Sequence, residues 1–123
     1  MKIKTKKSFL YSFIILIILL LIIPYALIKY NLHVLENRVV NYLVEEKGYQ
    51  QNELQSVNGA FGKLPLLSVW VIFEDEPHIQ YQYVERESIR QLAYTVSEQG
   101  KIANLNHHDI DTNKLLHYDS YDF

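Results

Sequence analysis

The sequence FLYSFIILIILLLIIPYALI, residues Phe9–Ile28, decides how the rest of the chain is organised. These 20 residues carry no charged side chain. A helix of this length spans about 30 Å, which is the thickness of the hydrocarbon core of a bilayer. We therefore predict a transmembrane helix over residues 9–28, with the lipid bilayer as its partner.

The lysines before this stretch predict its orientation. Residues 1–7 read MKIKTKK and contain four lysines. Lysine bias in a short flanking segment keeps that flank in the cytoplasm. The sequence thus predicts a single-pass protein of the cell membrane, with residues 1–8 cytoplasmic and the domain after the helix extracytoplasmic.

A cleaved signal peptide is the alternative interpretation of the same stretch. Its apolar region usually has 7–15 residues and is followed by a small-x-small cleavage site. The apolar run in this chain is longer, and Ala26 is the only small residue near its end. These features favour an uncleaved signal anchor.

Composition excludes several classes of function. From Tyr30 onwards the chain has seven basic and 14 acidic residues, a net charge of −7 with neutral histidines. A domain of this charge repels nucleic acid and anionic headgroups, so no nucleic acid partner is expected. The chain has no cysteine, and disulfides, thiolate nucleophiles and thiolate metal sites are therefore impossible.

The residues after the anchor predict an amphipathic helix over Asn31–Lys47. Gly48 supplies the residue that commonly ends a helix in the left-handed conformation. Residues 28–31 contain no strong helix breaker, so the two helices are expected to be continuous. The apolar stripe consists of Leu32, Leu35, Val39, Tyr42 and Leu43, which follow helical spacing.

Alternating and β-branched residues predict strands in the second half of the chain. The strongest is Leu66–Phe73 (LLSVWVIF), and a charged turn at Glu74–Pro77 joins it to Ile79–Val84. The next segment, Ile89–Val96, favours a strand, with a helix as the alternative. Shorter strands are predicted at Leu54–Val57 and Lys101–Leu105, with a loop at Asn58–Pro65 and a hairpin turn at Ser97–Gly100.

The predicted fold class is α+β. A single N-terminal transmembrane helix is followed by a small two-layer domain, in which one helix packs on an antiparallel β-meander. This domain is expected to cover residues 29–105. Residues 106–123 are polar and lack periodicity, and we interpret them as a C-terminal tail or a capping segment.

Two blocks of the sequence resemble a known family. Val40–Tyr49 (VNYLVEEKGY) and Val69–Pro77 (VWVIFEDEP) are similar to blocks of the bacterial family called domain of unknown function 3139, over roughly residues 7–84. The resemblance implies a membrane-anchored extracytoplasmic domain, mainly in Gram-positive bacteria, with no known activity or catalytic residues to transfer. The helix-then-meander order is also similar to PepSY-type domains, modules thought to bind or restrain peptidases, by topology alone.

Two clusters are candidate metal sites. The acidic turn Glu74, Asp75 and Glu76 offers oxygen ligands for a hard cation, but its spacing is unlike that of a calcium loop and a hydrated hairpin tip is the alternative. The C-terminal segment combines imidazole and carboxylate groups, which suit zinc, in a spacing that matches no standard site. The candidates there are His107, His108, Asp111, His117 and Asp119.

The chain has ten tyrosines, and those on strands offer a partner-binding face. Tyr81 and Tyr83 lie on one side of a predicted strand, so with the acidic turn they are candidates for partner contact. Core packing is the alternative for them.

No sequence pattern indicates an enzyme or a bound cofactor. The chain has no G-x-S-x-G, and its four glycines are scattered, so nothing marks a nucleophile elbow or a phosphate-binding loop. The sequence predicts a non-catalytic binding or regulatory module for an envelope protein or peptide. The alternative is a domain that responds to divalent ions or to pH through its C-terminal histidines and aspartates.

Overall fold

The computed structural model describes residues 2–119, with side chains described from residue 6. The chain divides into two compact units, Met1–Asn31 and Leu32–Phe123. The first helix, α1, spans Lys2–Asn41 without interruption at residues 28–31, as the sequence predicts.

The first unit contains one helix that is long and apolar enough to cross a membrane. Its apolar window has a mean hydropathy of 2.8 and none of it is buried against the protein. The described side chains from Lys6 to Leu27 are all exposed. An isolated apolar surface of this size is unfavourable in water and favourable in lipid.

The second unit is an α+β domain, which confirms the predicted fold class. Its four strands form one antiparallel sheet in the order β1-β2-β3-β4. The strands are β1 (Leu54–Phe61), β2 (Leu67–Phe73), β3 (Glu76–Arg86) and β4 (Ser88–Val96), and they are followed by a short helix, α2 (Glu98–Ile102).

Residues 32–46 comprise the last part of α1 and the π-helical turn after it, and we call them the helical segment. The core lies between this segment and one face of the sheet. Leu35, Val39 and Leu43 of the helical segment are buried, as are the β2 residues Val69 and Val71. Burial of each such side chain contributes about 1.5–3 kcal/mol, so this face holds the two layers together.

Gly59 allows the helix to approach strand β1 closely. Its N–H donates a hydrogen bond to Glu36 Oε1 at 2.6 Å. A Cβ at position 59 would lie 2.9 Å from that oxygen and 3.1 Å from Leu32 Cβ, which is closer than most real contacts. A side chain at position 59 would therefore require Glu36 and Leu32 to shift where helix and strand meet.

The end of the helical segment departs from regular α-helix. The chain makes a π-helical turn at Tyr42–Glu46, and Gly48 then adopts φ 78°. The left-handed conformation of Gly48 is the one that the sequence predicts for a residue ending a helix.

The prediction for residues 97–105 is wrong. Instead of a hairpin turn and a strand, Ser97 caps helix α2: its Oγ accepts a hydrogen bond from Gly100 N at 3.2 Å and donates to the Pro77 carbonyl at 2.6 Å. A methyl group at Gly100 would collide with the carbonyl oxygen of His78. The cap and this close packing stabilise a helix where alternation suggested a strand.

The strand predictions are otherwise confirmed, with changed limits. Residues 88–96 form a strand rather than a helix. Strand β1 continues to Phe61, through part of the predicted loop, because its backbone pairs with β2 as far as Phe61 and Leu67.

The C-terminal segment packs on the domain instead of forming a separate tail. Leu105, Ile110 and Leu115 pack against the buried core. The described part of this segment therefore corresponds to the capping interpretation, and the domain does not end at residue 105. Residues 120–123, the end of the predicted tail, lie outside the described residues.

Candidate functional site

One cleft on the domain has a volume of about 340 Å³. It lies between the end of the helical segment and the turn that joins β3 to β4. Four glutamates and one arginine line it together with neutral residues: Arg38, Asn41, Tyr42, Glu45, Glu46, Glu85, Glu87, Ser88 and Ile89. We call it the acidic cleft.

One ion pair joins the two sides of the acidic cleft. Arg38 Nη1 lies 2.6 Å from Glu85 Oε1, and both side chains remain partly exposed, so this pair contributes little to stability. Ile89 is buried and gives the cleft an apolar wall. Carboxylates beside an apolar wall suit a lysine or arginine, whose charged end and aliphatic stem need both surfaces.

The backbone bordering the acidic cleft is unusual on both sides. Glu45 and Glu46 belong to the π-helical turn. Such turns are rare in proteins, and those that occur are often at functional sites. Across the cleft, Glu87 adopts φ 65°, a conformation that is uncommon for residues other than glycine. Both features place carboxylates at the rim.

A second cluster is centred on His117. Its Nε2 lies 2.7 Å from Asp75 Oδ1 and its Nδ1 lies 2.8 Å from the Tyr49 hydroxyl. The imidazole also stacks on Phe73, with a centroid distance of 3.8 Å and an angle of 20°. The side chain is only 8% exposed, so the C-terminal segment is held against the sheet at this point. We call this group of contacts the histidine latch.

Backbone groups of the C-terminal segment bind side chains of the sheet next to the histidine latch. Gln91 donates from Nε2 to the His117 carbonyl at 2.8 Å and accepts at Oε1 from Asp119 N at 2.7 Å. Leu116 N donates to Glu76 Oε2 at 3.0 Å. The amide of Gln91 thus supplies the complementary donor and acceptor that a neighbouring strand would supply.

The surroundings assign the hydrogens of the histidine latch. The carboxylate of Asp75 accepts, so Nε2 of His117 carries a proton, and the Tyr49 hydroxyl can donate to Nδ1 when that nitrogen carries none. Burial raises the pKa of Tyr49, and the charge of Asp119 raises it further. Its hydroxyl therefore stays protonated and available as a donor at neutral pH.

The candidate metal ligands of the C-terminal segment have separate partners. His107 stacks on Tyr94, Asp111 accepts from Asn113 N at 3.0 Å, and Asp119 pairs with Lys47 at 2.7 Å. His108 is exposed, and His117 belongs to the histidine latch. Within residues 6–119 no group of three or more His, Cys, Asp or Glu side chains is placed to hold a metal.

The expected partner contact through tyrosines needs correction. Tyr81 and Tyr83 are 0% and 3% exposed, because they lie on the sheet face that the helix and the C-terminal segment cover. Of the acidic turn, Glu76 accepts from the Tyr81 hydroxyl and Asp75 belongs to the histidine latch, whereas Glu74 is exposed. Two side chains of the acidic turn, Asp75 and Glu76, therefore make contacts within the domain.

The other sheet face is mixed rather than apolar. Asn58, Trp70, Gln82 and Ala93 form one cross-strand row on it. In the described part of the second unit, the large apolar side chains that are exposed lie elsewhere: Phe61, Leu64, Leu66, Ile102, Leu116 and Tyr118. The sheet face away from the helix thus carries no large apolar contact patch.

The buried tyrosines predict an alkaline limit to stability. Burial raises the pKa of Tyr81, with a contribution from its hydrogen bond to Glu76, and burial also raises the pKa of Tyr83. Their folded-state pKa values lie above the ordinary 10.0. The contribution of these protonated tyrosines to the free energy of unfolding is therefore complete below pH 10, and it is lost as the pH rises further. Ultraviolet titration of tyrosinate is expected to show late groups that ionise together with unfolding. In Tyr83→Phe one of them should disappear, and if all tyrosines ionise together near pH 10 the prediction fails.

Sequence reasoning missed the acidic cleft. The pair Glu45–Glu46 and the polar turn at Glu85–Ser88 are visible in the sequence, but about 40 residues separate them. Only the packing of the helix across the sheet brings them together. Comparison of the chain with family models, with curated proteins and with solved structures finds no match.

Proposed function

We propose that this protein is a membrane-anchored, non-catalytic module whose acidic cleft binds a basic segment of another envelope protein or peptide. The single observation that supports it best is the cleft itself, with its four glutamates and single arginine. Its volume of about 340 Å³ falls within the range of known ligand sites. The function is binding, since neither the sequence nor the cleft offers a nucleophile paired with a base.

The charge of the domain supports a basic partner. Carboxylates concentrated in one cleft raise the local concentration of a cationic segment and speed its association. The net charge of −7 from Tyr30 onwards acts in the same direction. A basic side chain entering the cleft would meet glutamates from both sides.

The placement in the cell is part of the same proposal. The lysines of residues 1–8 support a cytoplasmic N-terminus, which would place the domain outside the cytoplasmic membrane. The resemblance to the family called domain of unknown function 3139 supports such a location in a Gram-positive bacterium.

Removing two rim charges is expected to weaken the binding of a basic peptide. In the Glu45→Gln, Glu46→Gln double variant, the affinity of the full chain for a pentalysine peptide should fall about tenfold, because each exposed ion pair is worth about 0.2–1 kcal/mol. Titration calorimetry in zwitterionic nanodiscs measures this, and the affinity of the unmodified chain should fall as salt is added.

The matched control has the same net charge. Glu74→Gln, Glu98→Gln also removes two carboxylates, and both of these side chains are exposed and lie outside the cleft. Equal losses in the two double variants would show that only overall charge matters, and would contradict a binding site in the cleft.

A further inference from the structure

The tip of the β1–β2 hairpin exposes an unusual amount of apolar surface. Phe61 is 56% exposed, Leu64 is 93% exposed and Leu66 is 58% exposed. The loop between the paired residues Phe61 and Leu67 is closed by a hydrogen bond from Gly62 N to the Leu66 carbonyl at 2.9 Å. The three side chains are therefore presented on a compact loop, and we call residues 61–66 the apolar tip.

The same hairpin carries no negative charge. From Leu54 to Phe73 there is no aspartate or glutamate, and Lys63 is the only charged residue. All 14 acidic residues of the chain lie outside this hairpin. The domain as a whole repels an anionic surface, but the apolar tip is the part that can approach one, with a lysine available for phosphate groups.

The direction of β1 places the apolar tip at one end of the domain. The strand begins at Leu54, which pairs with Phe73, and the Phe73 ring lies 5.0 Å from that of Tyr49, just after the end of the helical segment. At Gly59 the strand has reached Leu32 and Glu36. It therefore runs antiparallel to the helical segment, and the apolar tip begins two residues after the point where the strand meets Leu32.

The length of the chain limits how far this end can lie from a membrane. Leu32 is the fourth residue after Ile28, where the apolar stretch ends. Even a fully extended chain of four residues spans at most about 14 Å. Because strand β1 meets Leu32 at Gly59 and ends at Phe61, the apolar tip is close enough to this residue to reach the lipid headgroup region.

We propose that the apolar tip inserts into the membrane interface and forms a second contact of the domain with the bilayer. This proposal rests on the membrane anchoring in the proposed function and is independent of the acidic cleft. Apolar side chains favour the acyl boundary, and the anchor keeps the local lipid concentration high, so a weak second contact is sufficient. The contact would hold the domain in one orientation on the surface.

The absence of cysteine from the chain makes the test direct. The variants Leu64→Cys, Ile17→Cys and Ile102→Cys each carry one site for an environment-sensitive fluorophore in the full chain. Ile17 lies in the anchor, and Ile102 is an apolar residue 82% exposed outside the hairpin. Each labelled protein is reconstituted in vesicles of mixed zwitterionic and anionic lipid and exposed to iodide in water and to nitroxide-labelled lipid.

The result expected at position 64 is weak quenching by iodide, several-fold below that at position 102, and strong quenching by the nitroxide lipid. Lys63→Glu should make position 64 more accessible to iodide in anionic vesicles. The fluorescence of Trp70, on β2, verifies that each variant is folded.

Three results would overturn the proposal. If position 64 behaves like position 102 while position 17 is embedded, the contact is refuted and the anchor stays intact. Protection of position 64 from both quenchers would show that protein, such as a second copy, covers the apolar tip. If position 17 is itself accessible to iodide, the anchoring fails and the second contact fails with it, whereas peptide binding in the acidic cleft is measured separately.

Discussion

Replacing Phe73 by alanine is expected to lower the free energy of unfolding of the domain by about 3–5 kcal/mol. Phe73 is fully buried and contacts three rings: Tyr49 at 5.0 Å, Tyr81 at 5.7 Å and His117 at 3.8 Å between centroids. Its loss leaves a cavity that none of the three can fill, because each ring is held by a hydrogen bond of its own.

The single tryptophan of the chain provides the measurement. Trp70 lies on the same strand as Phe73, so its fluorescence during urea titration in nanodiscs reports unfolding of the sheet. Ile102→Ala is the control, since it also truncates an apolar side chain but at an exposed position. A loss at Phe73 no greater than that at Ile102 would mean that the three aromatic contacts do not stabilise the domain.

Replacing His117 by alanine is expected to release the C-terminal segment while the sheet remains folded. The change removes two hydrogen bonds, each worth about 0.5–1.5 kcal/mol, and a ring contact worth about 0.5–1.5 kcal/mol. The total of about 3 kcal/mol exceeds the free energy that usually opposes local opening of a surface segment. The hydrogen bonds made by Leu116 and Asp119 should then open frequently.

Hydrogen exchange followed by NMR measures this release. The amides of Leu116 and Asp119 should exchange much faster in His117→Ala, whereas amides in the centre of β2 and β3 should change little. His108→Ala, at an exposed position of the same segment, should leave both rates unchanged. Retained protection of Leu116 in His117→Ala would show that other contacts hold the segment.

The helix and the meander could be predicted because local patterns determine them. Leu35, Val39 and Leu43 have helical spacing and are all buried. Val69, Val71 and Phe73 alternate and are also buried. A periodic apolar pattern states both the type of element and its buried face, which is why the order and pairing of the elements were predictable.

The C-terminal segment could not be predicted in this way. It has few regular elements, and its attachment depends on Gln91 and Glu76, which are far from it in sequence and bind its backbone. Hydrogen bonds to the backbone leave no trace in the sequence of the segment itself. The sequence also could not decide whether Tyr81 and Tyr83 face a partner or the core. The segment that helps to bury them has a polar sequence, which gives no sign that it packs on the sheet.

The acidic cleft was only partly predictable. The excess of acidic residues argued against nucleic acid and anionic headgroups as partners, but no local motif indicated which of the glutamates form a site. The glutamates of the rim lie on a π-helical turn at Tyr42–Glu46 and at Glu87 with its positive φ, and neither backbone feature follows from residue preferences.

The position of His117 in the core has a consequence for the order of folding. Phe73 is the last residue of strand β2, and the ring that stacks on it comes 44 residues later in the chain. A nascent chain that has been synthesised only as far as β4 therefore leaves one side of the Phe73 ring uncovered, and its Gln91 amide lacks the backbone partners at residues 117 and 119. The domain reaches its native packing only after residue 117 has left the ribosome, so until then it depends on whatever shields apolar surface in the compartment where it is made.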